Sequence, residues 1–301
     1  MYSAPLAVST ETSAAVQVVV LAVLAALYAR RAHTLAGSAE TVPPRRQACF
    51  YGGLIVAAIA LAGLGPTGQH LLWVHMIELI TLGDLAALGI VLGLTGPLLD
   101  PVLRIPVLKR LSALSHPVLA FPLWVIDLYA WHVRVFYEAA LHHSSIQVLE
   151  HVMFFVFGIN MWMCLFGPLP KPSWFGERGK LTYVLAVRLA GAALANIFLW
   201  SGTIFYPYYL TGEARSHISP IADQNIAGAI MLGEAAILTV GLLYWLLKHS
   251  AHGESRTDQF AFARSRGREM SDTSSGRSSG NGRGGSEHEP MQARSGASER
   301  R

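Results

Sequence analysis

Seven runs of predominantly apolar residues dominate this chain, at about 13–30, 47–65, 71–98, 117–139, 147–167, 181–205 and 221–247. A helix that crosses the ~30 Å hydrocarbon core of a bilayer needs roughly 20 such residues. In lipid the backbone must satisfy its own hydrogen bonds, so only helices and closed barrels span it. Long continuous runs, without period-two alternation, select helices. The pattern predicts an all-α polytopic bundle of seven transmembrane helices. Gly83, Gly89, Gly93 and Pro97 lie in the third run, where a tilt, kink or early end is expected. Pro122 lies in the fourth, where a kink is expected.

Charge between the runs sets the orientation. The first loop carries Arg30, Arg31, Arg45 and Arg46, the third Arg104, Lys109 and Arg110, and the fifth Lys171, Arg178 and Lys180. The second and fourth loops hold no Lys or Arg, and the sixth only Arg215. By the positive-inside rule the N-terminus is outside and the C-terminus cytoplasmic. Such loops also explain the formal net charge of +4 without a nucleic-acid partner. The N-terminal run has no basic residue before it and Arg30-Arg31 after it, so it reads as a reverse-oriented anchor, not a cleaved signal.

Beyond the runs the chain changes character. Residues 249–301 are rich in Ser, Gly and Arg ("SSGRSSGNGRGG") and cannot bury enough apolar surface to fold. The expectation is a membrane domain over 1–248 and a disordered cytoplasmic tail over 249–301, its arginines within reach of anionic lipid. The only two cysteines, Cys49 and Cys164, make no disulfide framework. No P-loop or dinucleotide fingerprint is present, and a non-enzymatic role is expected.

The predicted topology places several ionisable residues at one depth near the outer face. His75 opens the third span, His151 the fifth and Asp223 the seventh, while His132 lies toward the outer end of the fourth. At 1.5 Å per residue they fall within roughly 10–15 Å of the boundary. Each is costly near lipid without a partner. A shared metal or proton site built from facing helices is one reading, and separate interfacial hydrogen bonds are the other. Glu78, one turn from His75, is placed to orient its imidazole. Glu150, beside His151, reads as an acid near a helix start, favoured there by the macrodipole. Met76, Met153 and Met231 lie near these residues. Thioether with imidazole suits Cu(I), although methionine more often fills apolar cores. Deeper in the membrane stand Asp84, Asp127, Glu234 and Arg188, with Arg188 a candidate partner of Asp84 or Glu234.

Five motifs in order resemble the seven-helix CtaG family of cytochrome c oxidase assembly proteins: "HMIE" at 75–78, "SHPVLA" at 115–120, "WHVRVFYEAAL" at 131–141, "LEHVMFFVFGINMW" at 149–162 and "DQNIAGAIM" at 223–231. The resemblance implies a multi-pass protein of the bacterial cytoplasmic (inner) membrane. Its partners would be cytochrome c oxidase subunits, and its task would be to help mature a haem–copper oxidase of the respiratory chain, with copper delivery as the usual inference. The matching polar positions are His75, His132, His151, Asp223 and Gln224. The chain departs from the family pattern at Leu79 and Gln147, where second histidines are common, and at Arg134, where proline is common. The site expected from residues and resemblance together is a copper site of His75, His132, His151 and Asp223. A different function also fits histidines on facing spans: bis-histidine ligation of haem. A zinc hydrolase is disfavoured because no HExxH-like pair is present, and a transporter because no internal repeat is visible.

Overall fold

The computed structural model describes residues 4–244 and 248, and every regular element among them is helical. The tail expected over 249–301 lies outside the described residues. The principal helices are α1 (Ala4–Leu35), α2 (Pro44–Gly68), α3 (Leu72–Gly93), α4 (Pro117–His132), α5 (Arg134–His142), α6 (Ser144–Phe166), α7 (Glu177–Trp200) and α8 (Pro220–Tyr244). Among the described residues six helices, all but α4 and α5, are long and apolar enough to cross a membrane.

The fourth run differs from its expected form. Its helix passes through Pro122 and stops at His132, where Val133 is extended (φ −71°, ψ 128°). Beyond the break the sequence turns amphipathic. Arg134 pairs with Glu138 at 3.0 Å on the exposed side of α5, while Tyr137, Ala140 and Leu141 are buried. Charges at this i, i+4 spacing mark a surface helix, not the last turns of a span. α4 is therefore only 16 residues long, and the helical stretch Pro106–Ser115 before it is bent from it by 81°. The third run also ends early, at Gly93, and the next short helix starts at Gly96 with Pro97 in its first turn.

α3 is the centre of the bundle, with 56% of its apolar window buried against 11% for α1. One apolar core joins α3 to α4, α6 and α7 through residues such as Met76, Trp124, Phe154 and Trp162. A second joins α1, α2 and α3 through Tyr28, Phe50, Leu54 and Leu82. The outward faces are also apolar, with Val19, Leu27, Leu189 and Ile237 exposed. Such faces suit hydrocarbon as solvent.

Close helix crossings set the register of the core. A Cβ added to Gly158 of α6 would lie 1.9 Å from the Gly83 carbonyl oxygen of α3, so only glycine admits this approach. Gly83 belongs to a π-helical turn, Thr81–Ala86, that interrupts α3. A second, Ala60–Leu64, interrupts α2. Such turns widen a helix locally and re-aim the side chains that follow.

Candidate functional site

The site begins with the way α3 starts. Leu71 is extended (φ −139°, ψ 127°), and the first free amides of α3 need acceptors. Asp223 of α8 supplies them: the Leu72 amide donates to Oδ2 at 2.9 Å and the Trp73 amide to Oδ1 at 3.0 Å. A carboxylate on a helix N-terminus is doubly favoured, by hydrogen bonding and by the macrodipole. The preceding segment is tied down as well, because Gln224 accepts from the Phe205 amide and donates to the Thr203 carbonyl.

One turn into α3, four ionisable side chains meet. His75 presents Nδ1 to Glu78 Oε2 at 3.5 Å and Nε2 to Glu150 Oε2 at 3.6 Å. His151 presents Nε2 to Glu78 Oε1 at 3.3 Å, and its Nδ1 faces Gln17 Oε1 of α1 at 3.2 Å. All four ionisable residues are buried, with Glu78 and Glu150 fully inaccessible. Glu78 bridges the two imidazoles. Its carboxylate fits because glycines stand beside it, and a Cβ on Gly65 or Gly68 would come within 3.0 Å of one of its oxygens. Carboxylate oxygens on both nitrogens of His75 are satisfied together only by the doubly protonated ring. His75 and His151 thus stand against carboxyl groups, and pairing of this kind is how ionisable side chains tolerate an apolar surround.

Tyrosines cover the cluster. Tyr137 of α5 packs edge-on to His75 with ring centroids 5.3 Å apart, and its hydroxyl meets that of Tyr209 at 2.9 Å. Tyr206 stacks on Tyr137 at 4.0 Å and donates its hydroxyl to the His132 carbonyl at 2.7 Å. The surface helix α5 and the segment before α8 thus close one end of the bundle over His75.

Of the four expected ligands, the structure brings two together. His75 and His151 share Glu78. His132 points elsewhere: Nδ1 lies 2.7 Å from the Leu128 carbonyl, and the ring packs against Phe198 and Phe154. Asp223 is engaged with the α3 amides. Glu78 does face His75, as its spacing suggests, and also reaches His151. Glu150, expected as an acid near a helix start, is a fully buried member of the cluster. Gln17 was not anticipated, and its signal was a lone amide within the apolar run of α1. Met76 is packed in the core, and Cys164 donates its thiol to the Ser115 carbonyl at 3.0 Å, far along α6 from His151. Among the described residues no three His, Cys, Asp or Glu side chains are arranged to hold a metal ion. The available donors are imidazole nitrogens and carboxylate oxygens, most of them facing another member of the cluster, while Glu150 Oε1 is buried with no hydrogen-bond partner.

A second polar set lies deeper. Arg188 of α7 takes both candidate partners, Asp84 Oδ1 at 3.2 Å through Nη2 and Glu234 Oε1 at 3.3 Å through Nη1.

A bundle of apolar-faced helices enclosing an imidazole–carboxylate cluster is the architecture of a multi-pass membrane protein with a polar working interior. The chain matches the model of the cytochrome c oxidase caa3 assembly factor family over residues 22–252 and belongs to that family. No curated protein and no solved structure gives a significant match. The matched region contains His75, Glu78, Glu150, His151 and Asp223, whereas Gln17 lies before it. Membership makes this a factor in the assembly of a cytochrome c oxidase, a role that implies association with oxidase subunits.

Proposed function

We propose that the chain works from the outer face of the bacterial cytoplasmic membrane. The His75–Glu78–Glu150–His151 cluster is its working site, and copper for the haem–copper oxidase is its cargo. The reading takes α4 as a short seventh span, with the N-terminus outside and the C-terminus cytoplasmic. Two facts support it. The starts of α3, α6 and α8 meet the end of α2 at one end of the bundle, as alternating crossings require. The Lys- and Arg-rich loops all connect at the other end.

The observation that carries the proposal is the burial of four ionisable side chains from two helices at that one end. Structural ion pairs are a costly way to stabilise a bundle. Imidazole and carboxylate together suit Cu(II) better than Cu(I), which prefers sulfur. Copper is cargo and not a resident ion here: loading would draw the imidazoles away from their carboxylates and release their protons. Deleting the gene and recording reduced-minus-oxidised membrane spectra at low and high copper tests this. The expected result is loss of active oxidase, partly restored by added copper. Restoration by haem supplementation alone, or no dependence on copper at any level, overturns the copper half of the proposal.

A further inference from the structure

The deeper polar set holds more negative than positive charge. Asp84 lies on the π-helical turn of α3, Arg188 near the middle of α7 and Glu234 near the middle of α8, so three helices meet far from either end. The Arg188 guanidinium holds one oxygen of each carboxyl group and rests over the Trp162 ring of α6 at 5.3 Å. The one guanidinium thus brings the two carboxyl groups side by side, Asp84 on Nη2 and Glu234 on Nη1. One guanidinium balances one carboxylate, which leaves the other uncompensated in the least polar part of the molecule. Two ionised carboxylates have no hydrogen to give one another. A single proton between them supplies the donor and removes the excess charge.

The set opens on a small cleft of about 50 Å³. Its remaining wall is apolar, with Ile80 of α3, Trp124 and Leu128 of α4, Val187 of α7 and Met231 of α8. Asp84, Arg188 and Glu234 are the only titratable groups lining it among the described residues. The two carboxyl groups keep 13% and 15% of their side-chain surface exposed, whereas Glu78 and Glu150 keep none.

We propose that Asp84, Arg188 and Glu234 form a one-proton binding site at the middle of the membrane domain, reached through the cleft. Water in the cleft delivers the proton to a carboxylate oxygen, an O–H bond forms, and the set passes from one net negative charge to none. No electron moves. The proton then joins α3, α7 and α8 in a neutral network. Its loss leaves a charge that draws water between α7 and α8, the two of these helices with the smaller buried share, 39% and 28% against 56% for α3.

The test is infrared difference spectroscopy on the full-length protein in liposomes, stepped in pH, in sodium buffer and again in choline buffer. Measured in an Asp127→Asn background, which removes a further buried carboxyl outside the His–Glu cluster, the protein should show one protonated-carboxyl band that titrates identically in both buffers. Glu234→Gln and Asp84→Asn should each abolish it, because either change leaves one carboxylate matched to Arg188. Both replacements are isosteric, and unchanged circular dichroism and melting confirm folding. Survival of the band in both folded variants assigns the proton elsewhere and overturns the proposal. An Asp127→Asn protein with no such band, or one whose band is displaced by sodium, overturns it in favour of a bound alkali cation.

Discussion

The crossing of α3 and α6 offers the sharpest test of how this site is positioned. Gly158 lies two turns beyond His151 on α6, and Gly83 two turns beyond His75 on α3, so this one contact fixes the distance between the two imidazole-bearing faces. In Gly158→Ala the new Cβ would sit 1.9 Å from the Gly83 carbonyl oxygen, where ordinary contact begins at 3.4 Å, so the helices must part by about 1.5 Å. The partner atom is backbone and cannot rotate away. Overpacking of this kind costs about 1–3 kcal/mol. A displacement of that size also opens the 3.3 Å contact between His151 and Glu78, and breaking a buried pair costs about 3–5 kcal/mol. Alanine returns about 1 kcal/mol through helix propensity. The balance is a loss of about 3 kcal/mol or more, read as an earlier midpoint in SDS-titrated unfolding followed by tryptophan fluorescence. Gly233→Ala is the control, since nothing lies within 4 Å of its added Cβ. It should be neutral or gain up to about 1 kcal/mol. A Gly158→Ala protein that unfolds together with Gly233→Ala would refute the argument that this contact holds the cluster together.

Three further outcomes follow from the geometry. His75→Ala and His151→Ala should each reduce active oxidase per inserted molecule, while His132→Ala, whose ring packs between Phe154 and Phe198, should lower abundance and leave that ratio unchanged. His33→Ala, exposed at the far end of α1, is the tolerated control, and equal effects at all four positions would remove the distinction. Asp223→Ala deletes two charge-assisted hydrogen bonds to the α3 amides and should destabilise the fold by about 3 kcal/mol; an unchanged unfolding midpoint would show that water replaces the carboxylate. Reporter fusions at Gly37, Ser112 and Gly176 should read cytoplasmic and those at Pro66, Ser144 and Gly212 outer, and a cytoplasmic signal at Ser144 would invert the working face.

Depth along a helix was legible in the sequence, and direction around it was not. His75 and His151 were expected at matching depth, and the structure joins them. His132 and Asp223 share that depth but face other partners, because neighbouring positions on a helix differ by about 100° and only packing decides which of them turns inward. Glu150 illustrates the same limit: it adjoins His151, and an amphipathic helix would bury one and expose the other. α6 is half buried, 50% of its apolar window, so both positions find protein. The break at Val133 was in principle readable, since Arg134 and Glu138 stand four apart on what would have been a lipid-facing turn. A window average over 117–139 conceals two such charges among so many apolar residues. The sequence offered Arg188 either Asp84 or Glu234 as a partner and could not choose, because it does not fix which spans touch. The guanidinium takes both acids: among the described residues neither Asp84 nor Glu234 has another cation within its contacts, and one arginine therefore anchors three helices at once.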